Sequence, residues 1–364
     1  MDAMLNEQEK YNLEVEDTIE KIKLHSSENS LVIPIFTDLH ARSEEDAVLE
    51  KTVMFLDKLS NGIALDAVLG LGDNLSMLGR KYHVSNERIQ SLLSNIFDRV
   101  HHATNVPLLL VHGNHDGIGT DFFKADFWYS VVGEKYDQGF VQREGNSAYF
   151  YLDYEKQSMR VIALSVPCGS DINDTDPTPI WAFGQKQLKW LAEKALDVPA
   201  DWDVLVLCHV PFFSEYRGER ESKLAVWLGD RETEAFKCNL CGWIDDRTAA
   251  EAILWAYHEG KTYEDQQNGI CADFSNKSGK LIACLSGHKH VDMFLQPGEA
   301  IGLDQNRLPC AQVVTASADV IHNKPLRDNI QYGVSLDVLV LNPEERKMAF
   351  IRLGDGEDRQ FHYE

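Results

Sequence analysis

No apolar run in this chain of 364 residues approaches the roughly 20 residues that a helix needs to cross a bilayer. Nor do the first 30 residues offer a basic stretch followed by an apolar signal region; they read as a polar, acidic helix. Neither a membrane span nor export is expected. Cysteine is scarce and odd in number. The seven residues are scattered through apolar contexts such as 206–209 and 282–285, which suits reduced thiols in a cytoplasmic protein and not a disulfide framework. Positive charge is in deficit, with 35 Lys and Arg against 58 Asp and Glu, a formal net charge of −23. The long-range field therefore repels polyanions, and extended nucleic acid or an anionic membrane is a poor partner. Screening limits that field to about 8 Å at physiological salt, so a locally positive pocket can still receive a small phosphate compound. Internal repeats and low-complexity linkers are also missing.

What is present is an ordinary globular composition, 44% hydrophobic and 26% charged, able to bury a large core. Short apolar, β-rich runs at 31–36, 67–71, 108–111, 204–207 and 281–285 each end at a polar or glycine-containing turn, as buried strands do. Helical spacing separates them. It is clearest over 85–101, where Ile89, Leu92, Leu93, Ile96, Phe97 and Val100 repeat behind a possible Ser85 cap, and a second helix spans 44–60, ending near Gly62. This alternation predicts an α/β fold with sheets inside and helices outside. Runs 148–152 with 160–165, and 332–341 with 347–353, read as antiparallel pairs, so the sheets are expected to be mixed. One domain over 1–364 is expected, with a helical extension at 1–30, a C-terminal β-hairpin at 332–353 and an insertion at 212–279. The insertion lacks strand signals, carries a helical pattern at 246–258, and is expected to lie over the site described next.

Each of the five strands runs into a polar cluster: Asp38-Leu39-His40, Gly72-Asp73-Asn74, Gly113-Asn114-His115-Asp116, Cys208-His209 and Gly287-His288-Lys289-His290. In open α/β sheets, residues beyond the carboxyl ends of strands converge on one crevice, so clusters far apart in sequence can meet. Carboxylate oxygens mixed with imidazole nitrogens suit Mn, Fe or Zn, whereas Mg or Ca sites use oxygen and few imidazoles. Two ions some 3.5–4 Å apart need a shared ligand, and a carboxylate can bridge where an imidazole cannot. Asp73 is the candidate bridge. The glycines at 72, 113 and 287 stand directly before ligand positions, where the backbone must turn sharply close to the ions. Two divalent ions, two aspartates and a hydroxide leave a small positive charge that attracts phosphate. Coordination can bring the pKa of a water down to about 7, supplying the nucleophile without a side chain.

The order D-x-H, G-D, G-N-H-D, H, G-H-x-H resembles the calcineurin-like metallophosphoesterase superfamily, over roughly 31–315. The resemblance implies a four-layer αββα sandwich with two mixed β-sheets flanked by helices. It implies a first metal on Asp38, His40, Asp73 and His290, and a second on Asp73, Asn114, His209 and His288. His115 matches the family's catalytic histidine, a proton donor to the leaving group, and Asp116 the acidic neighbour that orients it. The 185–191 run resembles a helix of phosphodiesterase-like members. Ser76 replaces the tyrosine of purple acid phosphatases three residues after the bridging Asp, and 74–77 lacks the pattern of Ser/Thr protein phosphatases. The implied activity is hydrolysis of a small phosphodiester, with a phosphomonoesterase or a nuclease of the same superfamily as alternatives, and an idle metal-bound scaffold as the non-enzymatic one. The charge deficit and the lack of clustered Lys and Arg count against a nuclease.

Single motifs would carry little, since Asp and Gly after a strand are ordinary turn residues and His209 alone could be a satisfied core histidine. The weight lies in five in order. Cys238-Asn-Leu-Cys241 has zinc-knuckle spacing but no second pair nearby. His83, His101 and His102 read as surface or helix-end residues, the tryptophans at 181, 190, 202 and 255 as packing, and Arg42 and Lys289 as solvent-facing charges.

Overall fold

A computed structural model describes residues 6–76, 84–116, 125–133, 135–166, 182–212, 247–301, 304–322, 326 and 329–363. Its framework is two mixed sheets packed face to face, with helices on both outer faces. Alternation within the strands produces the layers, because successive side chains point to opposite faces. In β1 (Leu31–Phe36), Leu31, Ile33 and Ile35 enter the core between the sheets, while Val32 and Phe36 face helices. That is why a half-alternating strand reads as one continuous apolar run.

The first sheet also contains β2 (Val68–Gly70), β3 (Leu108–Leu110), β15 (Ser335–Asn342), β16 (Lys347–Gly354) and β17 (Arg359–His362), in the order β17-β16-β15-β1-β2-β3. β1, β2 and β3 run parallel, and β15 pairs antiparallel with β1. Among the described residues, four helices cover its outer face: α1 (Glu7–His25), α2 (Ala47–Gly62), α3 (Asn86–Thr104) and α4 (Ala125–Val132). Ser85 caps α3, its hydroxyl accepting from the Arg88 amide, and Asn105 closes it in the left-handed conformation. α2 starts later than its periodicity suggests, because the Asp46 side chain caps it by accepting from the Val48 amide, and Gly62 falls inside its last turn.

The second sheet takes β4 (Gln142–Arg143), β5 (Phe150–Tyr154), β6 (Met159–Leu164), β7 (Asp203–Cys208), β10 (Leu281–Ser286), β11 (Met293–Leu295) and β14 (Ala311–Val314). Its order is β11-β14-β10-β7-β6-β5-β4, with β6, β7, β10 and β14 parallel. α5 (Gly184–Trp190), continued by a π-turn over Leu191–Ala195, and α6 (Arg247–His258) pack on its outer face.

The 332–353 run forms the antiparallel pair β15 and β16, and β15 completes the hydrogen bonding of the central strand β1. One expectation changes. The 212–279 stretch does contain strands, since β8 (Thr262–Asp265) and β9 (Ile270–Asp273) form a hairpin whose Ile270 and Ala272 join the core on the second sheet's outer face. Its exposed partner strand carries Thr, Tyr, Glu and Asp, so it lacks an apolar run. Residues 213–246, including Cys238 and Cys241, lie outside the described residues, as do His83 and Trp181. Trp190 is buried in the core as expected.

Candidate active site

The carboxyl ends of β1, β2, β3, β7 and β10 carry all the candidate residues, and the loops that follow are knitted together by backbone hydrogen bonds. Asp38 N–H donates to Gly72 O at 2.9 Å, His40 N–H to Asp73 O at 3.1 Å, and Gly287 N–H to His209 O at 3.1 Å. Within these loops Asp38, His40, Asp73, His288 and His290 have φ of 52°, 48°, 53°, 69° and 59°. Such left-handed backbone costs a non-glycine residue about 1 kcal/mol or more and persists where its surroundings enforce it. Both side chains of each pair, Asp38/His40 and His288/His290, reach the same cluster of donors. Close approach does the rest: a Cβ on Gly113 would overlap the Asp73 backbone nitrogen, and one on Gly287 the Thr37 hydroxyl.

The side chains meet in three overlapping groups, Asp38/His40/His290, His40/Asp73/His115 and Asp73/His209/His288, each with ligand-type atoms within 4.8 Å of one another. His40 Nε2 and His290 Nε2 stand 3.0 Å apart, and Asp38 Oδ1 lies 3.7 and 3.1 Å from them. On the other side, Asn114 Oδ1 lies 3.0 Å from His209 Nε2 and 2.8 Å from His288 Nδ1, and His209 Nε2 is 3.2 Å from Asp73 Oδ2. The atoms facing away are tethered. Asp38 Oδ2 accepts from the Thr37 hydroxyl and the His288 amide at 2.7 and 2.9 Å, and Asp73 Oδ1 from the His115 amide at 2.6 Å. His209 Nδ1 meets the Leu71 carbonyl at 2.6 Å, which leaves Nε2 directed at Asn114 and Asp73.

Electrostatics follow from burial and this crowding. Burial lowers His40 to about 4 and, with the charge of His209, His288 to about 3, so both rings are neutral at pH 7. Burial would lower His209 as well, but Asp73 and Asp38 outweigh it and hold its proton up to about 9. His290 is raised against its own burial by Asp38. Burial would raise Asp38 and Asp73, yet the histidines keep both well below the usual carboxylate range.

Two carboxylates, an amide oxygen and several imidazoles converging with their lone pairs form a donor set that fits divalent transition-metal ions. The sequence profile of calcineurin-like phosphoesterases matches residues 31–292, a span that contains every one of these side chains. The chain belongs to that family.

It is accordingly a metallophosphoesterase, a hydrolase of phosphoric esters, and membership implies two divalent metal ions. Its fold is similar to that of a dimetal phosphatase from Danio rerio, with a TM-score of 0.56 and 12% identity over 92% of this chain and 99% of that one. It is also similar to PhoD, with a TM-score of 0.50 and 12% identity over 93% of this chain and 71% of that one. No curated protein matches it in sequence. Among the described residues, no helix is long and apolar enough to cross a membrane.

In this metallophosphoesterase, His115 sits at the rim. Its side chain is 23% exposed, its Nε2 is 3.9 Å from Asp73 Oδ2, and its ring lies 4.7 Å from that of His40. Asp116 has partners other than the expected His115 ring. Its carboxylate accepts from the amides of Asn74 (2.8 Å), Leu75 (3.1 Å) and Gly113 (3.1 Å) and from the Asn74 side chain (3.0 Å). Complete burial and the charge of Asp73 push that carboxyl up to about 7, against four donors that favour the anion. It therefore braces the loop bearing Asp73 against the one bearing Asn114, while His115 Nδ1 is buried with no hydrogen-bond partner among the described residues. Thr37 and the Leu71 carbonyl were not anticipated; a threonine before an aspartate, or a strand-end carbonyl, carries no signal of its role.

Proposed function

We propose that the chain hydrolyses small phosphate esters, diesters in preference, with Asp38, His40, Asp73 and His290 holding one ion, Asp73, Asn114, His209 and His288 the other, and His115 as proton donor. The observation that carries this reading is the position of Asp73 in two of the three donor groups, one shared with His40 and His115 and one with His209 and His288. When bound, such a pair of ions supplies an ionised water and stabilises charge on the phosphoryl oxygens. The chain's own part is to hold those donors in strained, mutually braced loops and to leave the His115 ring exposed enough to reach a leaving oxygen. The diester preference is supported by charge, because a field of −23 opposes a monoester dianion more than a diester monoanion. The mixed donor set favours Mn, Fe or Zn. Free Cys208, Cys284 and Cys310, all buried, suit a cytoplasmic setting.

The test is Mn-dependent hydrolysis of bis-p-nitrophenyl phosphate against p-nitrophenyl phosphate. A kcat/KM at least about tenfold higher for the diester is expected, worth about 1.4 kcal/mol in the transition state. A preference for the monoester overturns the diester assignment, and no turnover of either overturns the proposal as a whole.

Metal uptake is expected to strengthen with pH up to about 9. Below that value His209 carries a proton which the metal must displace, so apparent affinity for its ion falls about tenfold per pH unit; above it the competition ends. His290, also raised, adds to the protons released, whereas His40 and His288 are already neutral. Calorimetric Mn titrations in buffers of different ionisation enthalpy read this release. A Mn affinity unchanged between about pH 6.5 and 8.5 would contradict it.

A further inference from the structure

We propose that Arg352, on β16, is a positioning residue that holds the His288–His290 loop in shape through Asp292, making the C-terminal strands part of the active-site scaffold. This rests on the assignment of His290 and Asp38 to one metal ion. Asp292 ends the span matched by the family profile, and Arg352, Arg359, Asp337 and Ser335 all lie beyond it.

Arg352 and Asp337 face each other across β15 and β16, each the one charged residue within an apolar run, 348–353 and 336–341. Arg352 Nη2 contacts both oxygens of Asp292 at 2.8 and 2.7 Å and Asp337 Oδ1 at 3.3 Å, while Nη1 bonds the Ser335 hydroxyl. Arg359 closes the cluster on Asp337 at 2.6 Å and on Asp292. Two guanidinium groups thus meet two carboxylates, with the Arg352 side chain only 3% exposed and that of Asp337 fully buried. An apolar replacement of such a buried cluster is often no less stable, so its presence points to a demand for position.

The position it sets is that of two ligand loops. Asp292 Oδ1 also accepts from the Ala316 amide at 3.0 Å. The next residue, Ser317, donates its hydroxyl to Asp38 O at 2.9 Å, and the Ala318 amide donates to Thr37 O at 2.8 Å. Fixing Asp292 therefore fixes the loop carrying His290 and, through 316–318, the loop carrying Asp38. His209 and Asn114 are held separately, by the Leu71 carbonyl and the 113–116 turn, so of the second ion's donors only His288 lies on the loop that Arg352 holds. A loosened Arg352 should therefore weaken the ion on His290 and Asp38 more than the other.

The experiment titrates Mn into full-length wild type, Arg352→Met, Arg352→Lys and Asp292→Asn, with Arg160→Met as control. Arg160 is also buried, bonds Asp153 and the carbonyls of 194, 195 and 197, and touches no ligand loop. Arg352→Met and Asp292→Asn are expected to weaken one equivalent by about 10- to 100-fold and the other clearly less, with Arg352→Lys in between. Amide exchange over 287–292 should quicken in Arg352→Met and not in Arg160→Met. Equal weakening of both equivalents, the same effect in Arg160→Met, or unchanged exchange overturns the inference. Absence of Mn uptake by the wild type overturns the ligand assignment instead, and the exchange measurement still decides the role of Arg352.

Discussion

Asp73→Asn is expected to give a folded protein that no longer retains two ions and hydrolyses phosphate esters at the uncatalysed background. The carboxylate is fully committed: Oδ1 accepts the His115 amide at 2.6 Å, and Oδ2 faces His209 Nε2 at 3.2 Å and His115 Nε2 at 3.9 Å. An asparagine has one acceptor atom and must fail one side. With its oxygen at the Oδ1 position, the NH2 group points a donor at His209 and no bridge is possible; turned over, the NH2 group opposes the His115 N–H. The charge that ties His209 to the site also disappears. The fold should survive at some cost, because the neighbouring histidines favour the Asp73 charge in the folded protein, while His209 can shed the proton that Asp73 helps it keep. Metal content by elemental analysis, with thermal unfolding of the stripped protein alongside, reads both effects. Two tightly held ions in the mutant would remove Asp73 from the role of bridge.

The sequence makes this site readable because each donor follows directly on a strand whose apolar run is short and sharply ended. Asp38, Asp73, Asn114, His209, His288 and His290 need no long-range knowledge beyond the convergence of strand ends. The α3 helix is equally legible, from the spacing of Ile89 to Val100 and its Ser85 cap. What escapes is whatever depends on a partner. The 335–342 run reads as a strand, yet nothing local says that it pairs with β1 three hundred residues earlier. Asp116 looks like the neighbour of His115 because it is adjacent in sequence, but its oxygens turn toward amides supplied by a loop some forty residues away. The β8–β9 hairpin has one strand without apolar alternation, so only its buried partner could have signalled it. Arg352 and Asp337 did leave a trace, two charges interrupting apolar strands, and their meaning emerges only when the register sets them opposite each other.

His115→Asn is expected to behave in the opposite way to the bridge mutant, keeping both ions and losing about 10²- to 10⁴-fold in turnover of an ester with a poor leaving group. The geometry makes this a real choice, since His115 shares a donor group with His40 and Asp73 and could in principle be a ligand. The distance to Asp73 favours the acid: its Nε2 stands farther from Oδ2 than that of His209 does, 3.9 against 3.2 Å, and at 23% exposure its ring can still reach a leaving oxygen. An asparagine at 115 retains the amide that Asp73 Oδ1 accepts, so the bridge stays oriented while the proton is lost. A p-nitrophenolate leaves without protonation and an alkoxide does not, so the mutant should hydrolyse an alkyl phosphodiester far more slowly than wild type while its loss on the p-nitrophenyl ester stays small. Equal losses on both esters would argue against proton donation, and loss of an ion would move His115 into the ligand set, leaving the leaving oxygen to be protonated by solvent.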